Sequence, residues 1–420
     1  MSQIDPAIAA IEDFRNRNFA QAEALAQSLL TGGSTGPIVF DILGGSQSMQ
    51  GKCLEALQTY TKALLAHPND EGFWQGWRSV FARIGSNHLP DLQGSCRKLL
   101  PLRRAELGHP LLEVGLLKEG WELLEADIHR KDLRSSDPIT SIPLYRQGQI
   151  YIPKNLLVYT HKDYVFPGLG DVFLFWRYFE ALPTLAKEIT LLLPKGMAGL
   201  AKHLPFEVVE ELTSQKIQEF DSRLPMQLLP RRFGFQISLP PYVHPDPSLV
   251  EVWQERLASY PGLKVGICWR ASATGRSTSP ENFGRLLNIP RISFFSLLSH
   301  HPQAEADIQV LKGMGAITDL APYLADWSET AAAVQCLDLV ITVDTALANL
   351  CGAMGRTDWV IYPSPGLPEM RWCGTSWYPS IKVFTAAGVD GERGLEELWE
   401  LTLELVKQEL IQRINAAPTA

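Results

Sequence analysis

Between residues 155 and 384 the sequence alternates short apolar, β-branched runs with amphipathic stretches, and this alternation restricts the fold more than any other feature. The runs are NLLVYT (155–160), EITLLLP (188–194), LKVGICW (263–269), ISFFSLL (292–298), LDLVITV (337–343), WVIYP (359–363) and IKVF (381–384). Continuous apolar strands separated by helices belong to parallel sheets covered on both faces, because each helix must cross a face to return the chain. A Pro-rich passage, SLPPYVHPDP (238–247), falls between the second and third runs and divides the region into two lobes of ordinary domain size.

The first part of the chain has helical periodicity and few strand-like runs. NFAQAEALAQSLL (18–30) and KCLEALQTYTKALL (52–65) superimpose at an offset of 34, placing Ala22 over Ala56 and Leu30 over Leu64. That is the tetratricopeptide period, and small alanines at matching positions let paired helices approach closely. HPND (67–70) is read as the stop of the second unit. A third pair fits residues 72–107, and LLEVGLLKEGWELLEADIHR (111–130) reads as a last amphipathic pair. A nonrepetitive helical bundle is the alternative; both readings are all-α and neither carries visible chemistry. Residues 131–153, with RSSDP and several prolines, read as a linker, and residues 392–414 as a long leucine-rich helix.

A chain of 420 residues exceeds what one core usually organises. Its 45% hydrophobic and 20% charged residues argue against wholesale disorder. The formal charge of -8 argues against a broad nucleic-acid-binding surface, so any anion site must be local. Cys53, Cys96, Cys268, Cys336, Cys351 and Cys373 form no CxxC pairs, which points away from zinc clusters and disulfide frameworks and towards a reducing compartment. The opening MSQIDPAIAAIEDF lacks the basic flank and apolar stretch of a signal peptide, and no segment approaches the ~20 apolar residues of a membrane span. The expectation is a soluble, cytoplasmic protein.

In open α/β sheets, ligands collect beyond the carboxyl ends of the strands, where helix N-termini present unpaired N–H groups. Three strand-to-helix loops qualify. In FPGLGDVFLFWRYF (166–179), Gly168 and Gly170 permit close backbone approach and Asp171 opens a helix; a glycine turn with Asp171 as a helix cap is the bland alternative. In CWRASATGRSTSPENF (268–283), Arg270, Arg276 and hydroxyls such as Ser277 suit a diphosphate, or merely a solvated loop. In LDLVITVDTALANLCGAMG (337–355), Asp344 and Thr345 occupy a helix N-terminus able to receive phosphate or ribose oxygens, or serve only as caps. The D-x-x-E pattern of Asp326 and Glu329 is read as capping alone.

KEGWELLE (118–125), PGLGDVFLFWRYF (167–179), VGICWRASATGRS (265–277), VITVDTALANLCGAMG (340–355) and MRWCGTSWYPSIKVF (370–384) occur in this order. Together they resemble bacterial proteins that join tetratricopeptide repeats to a family 9, heptosyltransferase-like glycosyltransferase. The resemblance implies an α/β fold class: N-terminal all-α TPR-like helical repeats followed by a GT-B glycosyltransferase of two Rossmann-like lobes. The implied layout is a repeat domain over 1–130, a linker over 131–153, an acceptor lobe over 154–245, a nucleotide-sugar lobe over 246–390, and a C-terminal helix and tail over 391–420.

The resemblance further implies inverting transfer from a nucleotide-diphosphate sugar, with no bound metal or other cofactor, to a protein or glycan acceptor. Asp171 resembles the general base. Gly168, Gly170, Arg270, Arg276, Ser277, Asp344, Thr345, Ala346 and Asn349 fall at nucleotide-sugar-binding positions. Inversion requires a carboxylate within reach of the acceptor hydroxyl, and cationic side chains and helix amides stabilise the departing diphosphate. A carboxylate at a helix N-terminus is a weak base unless desolvated, which assigns desolvation to closure of the lobes. The repeats imply a protein partner. Departures from the pattern are Asn349 where the family has histidine, Ala271 where it has glycine, a shortened loop before Arg276, and Glu369-Met370 in place of an acidic-aromatic pair. They keep open a second reading, a catalytically impaired scaffold or binding protein. Nucleotide-sugar epimerases come third, and the lack of a full GxGxxG after the first strand disfavours a dehydrogenase.

Overall fold

The computed structural model describes residues 5–146, 151–160, 167–235, 239–272, 276–299, 301–364, 366–372, 377–385 and 394–416. Residues 273–275 of the loop after the third apolar run and residues 373–376 of the MRWCGTSWYPSIKVF motif, Cys373 among them, lie outside this set. The chain forms two compact units. One holds the residues up to Leu124 together with the segment from Ser364 to Trp372. The other runs from Glu125 to Pro363 and takes in residues 377–385 and the C-terminal helix.

The first unit is a succession of helix pairs: α1 (Pro6–Arg15) and α2 (Phe19–Thr31), α3 (Pro37–Met49) and α4 (Cys53–Ala66), α5 (Glu71–Phe81) and α6 (Leu89–Leu99), then α7 (Gly108–Glu113) and the start of α8 (Leu117–Asp132). The alanines aligned at the repeat offset, Ala22 and Ala56, are both fully buried, as close helix packing requires. Thr61 and Ser95, 34 residues apart, share a 2.7 Å hydrogen bond and both accept from the buried Trp77 indole. These contacts tie the second helix pair to the third. HPND acts at both ends of a turn: α4 stops at Ala66, and Asp70 caps α5 by accepting from Phe73 N at 3.1 Å.

The second unit contains two parallel sheets. In the first lobe, β1 (Asn155–Tyr159), β2 (Glu188–Leu192), β3 (Glu207–Val209) and β4 (Ser222–Pro225) take the order β3-β2-β1-β4. Its helices are α9 (Leu169–Trp176), α10 (Ser214–Ile217) and α11 (Leu229–Phe233). The end of the expected linker lies along β4, where Tyr145 N donates to Arg223 O and Arg223 N donates to Pro143 O. Arg223, itself buried, pairs with Asp132 at 2.7 Å and donates to the Tyr159 hydroxyl, so its charge is compensated.

The second lobe begins with α12 (Pro247–Leu257) and then β5 (Leu263–Cys268), α13 (Pro280–Gly284), β6 (Ile292–Ser296), α14 (Ala304–Met314) and β7 (Ile317–Asp319). It continues through α15 (Trp327–Gln335), β8 (Leu339–Val343), α16 (Ala346–Ala353), β9 (Asp358–Tyr362) and β10 (Ile381–Thr385), and α17 (Leu395–Ala416) closes it. The strand order is β10-β9-β8-β5-β6-β7, all parallel, which is the doubly wound Rossmann order. Trp399, Leu403, Val406, Leu410 and Ile414 form the buried stripe of α17, spaced three and four apart as an amphipathic helix demands, with Leu398 beside them. The architecture is the one expected, a helical N-terminal region followed by two Rossmann-like lobes. Three strands went unexpected: β3, β4 and β7, each three or four residues long. Among the described residues no helix is long and apolar enough to cross a membrane.

Candidate active site

Each sheet has one place where the winding reverses, between β1 and β4 in the first lobe and between β5 and β8 in the second. A crevice opens at such a switch point, because the loops from the two strands leave in opposite directions. The loops after β1, β5 and β8 are those that the sequence singles out.

After β1 the chain enters α9 with Gly168 at its N-cap. Asp171 sits at the third helical position and its Oδ2 accepts from Gly168 N at 2.7 Å, a reciprocal cap of the first turn. Asp171 as a residue is only 7% exposed. Every residue from Asp171 to Trp176 is buried. Phe173 meets the Trp327 ring of the second lobe at 5.1 Å, and Trp327 N donates to Gly196 O of the first lobe. An all-apolar helix has to be covered on all sides, and here both lobes supply the cover.

After β8 the chain enters α16 with Thr345 as N-cap, its hydroxyl accepting from Ala348 N at 3.3 Å. Asp344, just before the cap, is buried, and its Oδ2 lies 3.0 Å from Nη1 of the half-exposed Arg276. Asn349 is buried one turn on; its Nδ2 donates to Thr345 O at 3.0 Å and its Oδ1 accepts from the Tyr378 hydroxyl at 3.2 Å.

The first turns of α9 and α16 touch. A Cβ placed on Gly170 would lie 2.7 Å from Asn349 Nδ2 and 3.4 Å from Ala346 Cα, so only glycine permits this approach. The structure thus brings Gly168, Gly170 and Asp171 together with Ala346 and Asn349, and places Asp344, Thr345 and Arg276 at the adjoining turn. Two further candidates are engaged by other partners within the protein. Arg270 is forked onto Asp307 of α14 at 2.5 and 2.9 Å, and Asp307 also accepts from the Trp269 indole. The Ser277 hydroxyl closes its own loop, accepting from Ala271 N and donating to Ala271 O. Of the expected cap pair, Asp326 does cap α15, whereas Glu329 accepts from the Trp253 indole at 2.7 Å.

Sequence reasoning assigned no role to Arg177, Tyr242, Trp377 and Tyr378, although they fall within the quoted segments, and it missed Asp307, which lies outside them all. It also missed a cleft of about 430 Å³ at the opposite, amino edge of the first sheet, bounded by Asn155, Lys187, Phe206 and Phe220. There Lys216 is neutralised by Glu207 and Glu219 at 3.0 and 3.1 Å. Among the described residues no group of three or more His, Cys, Asp or Glu side chains is placed to hold a metal ion.

No family model matches the chain. A curated relative, protein FlbA of Caulobacter vibrioides, is 27% identical over 317 residues; the match covers 65% of this chain and 50% of FlbA, so the chain spans about half of its relative's length. Among solved structures, a family 9 glycosyl transferase from Veillonella parvula is similar at a TM-score of 0.46 and 12% identity, covering 62% of this chain and 97% of that one. The ADP-heptose heptosyltransferase II of E. coli gives 0.45 and 13%, over 62% and 98%. An O-GlcNAc transferase variant from Thermobaculum terrenum gives 0.32 and 13%, over 98% and 91%.

Proposed function

We propose that this protein is a glycosyltransferase that moves a sugar from a nucleotide-diphosphate sugar to an acceptor, with inversion and without a bound metal, and that its helical repeats recruit the acceptor or a partner protein. The observation that carries this reading is the contact between the first turns of α9 and α16, which joins the switch points of two Rossmann-like lobes. On one side stands a single buried carboxylate, Asp171, suited to take the proton of an acceptor hydroxyl. On the other, the amides of α16 and the guanidinium of Arg276 supply positive charge where a diphosphate would depart. Arg276 is half-exposed, so it can exchange Asp344 for a phosphate oxygen without leaving a buried cation behind.

A scaffold without turnover is the second reading. It is favoured by the engagement of Asp171 as a helix cap and by Asn349, whose amide is satisfied within the protein. The two readings separate in a thermal-shift screen with UDP-, ADP-, GDP- and CMP-linked sugars, since selective binding raises the melting temperature by mass action. The transferase reading expects a shift with one donor class, turnover with that donor, and loss of turnover in Asp171→Asn with donor binding nearly intact. No shift with any donor favours the scaffold, and full activity of Asp171→Asn removes that residue from the base role.

A further inference from the structure

Arg177 ends α9, the helix whose first turn carries Asp171, and it is only 3% exposed. Its Nε donates to Leu174 O at 2.9 Å, and its Nη2 donates to the Tyr242 hydroxyl at 2.9 Å and to Trp377 O at 3.0 Å. Its guanidinium carbon lies 5.1 Å from the ring centre of Tyr242, 4.8 Å from that of Trp377 and 5.2 Å from that of Tyr378. A buried cation needs compensation. Here aromatic faces, two carbonyls and a hydroxyl provide it, a combination suited to the flat, forked guanidinium and not to an ammonium.

The chain of contacts continues beyond Arg177. Tyr378 donates its hydroxyl to Asn349 Oδ1, and its ring lies so close to Gly352 of α16 that a Cβ there would overlap it. Asn349 in turn faces Gly170 at the other end of α9. The helix is therefore gripped at both ends by one network. Arg177, with Tyr242, Trp377 and Tyr378, holds its C-terminal end, and Asn349, bonded to Tyr378, meets its first turn directly.

We propose that Arg177 is a positioning residue that acts through Tyr378 and Asn349 to fix the first turn of α9, and with it Asp171, against the first turn of α16. The role of Asp171 rests on the transferase reading; the grip on the helix does not. The network joins the lobes at this point, through Arg177 on α9 and through Trp377 and Tyr378 before β10.

Three substitutions in the full chain test this. Arg177→Met keeps the apolar stem but loses the fork, Arg177→Lys keeps charge without the plane, and Tyr378→Phe keeps the ring while releasing Asn349. Amide hydrogen exchange is the first readout. In Arg177→Met and Tyr378→Phe, exchange across residues 169–175 and 346–352 is expected to rise ~10-fold, with α17 and the helical unit unchanged, as local opening should do. Arg177→Lys should fall between the wild type and Arg177→Met. Unchanged protection at those turns, or a uniform loss over the whole chain, overturns the proposal.

The second readout uses whichever nucleotide sugar gives a thermal shift and turnover. Misplacing the base should lower kcat ~10- to 100-fold while donor KM stays within about twofold. An equal loss in donor affinity overturns the assignment to positioning. If no donor binds the wild type, the transferase reading fails, and the exchange measurement alone decides whether Arg177 grips α9.

Discussion

Gly170 and Asn349 meet without room for a methyl group between them: a Cβ on Gly170 would stand 2.7 Å from Asn349 Nδ2. Asn349 has nowhere to retreat, because Nδ2 is committed to Thr345 O and Oδ1 to the Tyr378 hydroxyl. Gly170→Ala is therefore overpacked and should cost about 1–3 kcal/mol. The denaturant midpoint measures this loss. Adding Asn349→Ala reopens the space, so the double variant should recover part of it, a coupling expected only of touching residues. Strictly additive losses would contradict the contact.

Arg276 and Asp344 are expected to act in opposite directions on anion binding. Arg276→Gln removes a charge-assisted bond worth about 1.5–3 kcal/mol, which weakens a nucleoside diphosphate or inorganic pyrophosphate roughly 10- to 100-fold. Asp344→Asn removes both the competing partner of Arg276 and a negative charge near the bound phosphates, so pyrophosphate should bind more tightly. Titration calorimetry of the two variants gives the answer. Tighter binding by Arg276→Gln would show that this guanidinium serves only its ion pair.

The fork of Arg270 on Asp307 is a structural pin for the loop after β5. Asp307→Ala leaves the guanidinium and the Trp269 indole without their shared acceptor; Arg270 keeps some access to water, so the loss should be about 1.5–3 kcal/mol. Arg270→Lys should lose much of the same stability, since an ammonium cannot span both carboxylate oxygens. Wild-type stability in Arg270→Lys would mean that a point charge suffices.

Asp358 gives the protein a pH signature. It lies fully buried at the start of β9, and burial pushes its carboxyl up to about 8; the opposing influences are the Thr342 hydroxyl, which donates to it at 3.1 Å, and the Trp359 amide. The folded state therefore keeps a proton that the unfolded chain has already released. Its contribution is complete below about pH 4 and is lost as the pH rises through about 8, by on the order of 1 kcal/mol per pH unit in between. Asp358→Asn imitates the protonated acid at every pH, so its stability should gain on the wild type between pH 5 and pH 8. Parallel stability curves for the two proteins would rule out this titration.

The sheets could be read from the sequence wherever strands are apolar, five or more residues long and central, as NLLVY and LVITV are. β4 could not, because SRLP carries a buried arginine whose partner, Asp132, is far away in sequence. In the site, the glycine loop and the Asp344-Thr345 turn were legible because each combines a strand end with a helix start within a few residues. The surroundings were not. The partners of Arg177 lie 65 and 200 residues away, and Asp307 stands 37 residues from the arginine it holds. The Ser277 hydroxyl also has a partner that the motif does not announce, the backbone of Ala271 in its own loop.

The segment from Ser364 to Trp372 leaves β9 and belongs with the helical unit, where Leu367 packs against the cluster around Trp77 and both Met370 and Trp372 are buried. The polypeptide then returns to supply β10 to the sheet. Two halves threaded in this manner cannot be parted by a single cleavage: a fragment lacking the helices would trail a greasy hook, and helices alone would keep an unfilled notch. Any transplant of the helical unit would have to carry that hook along.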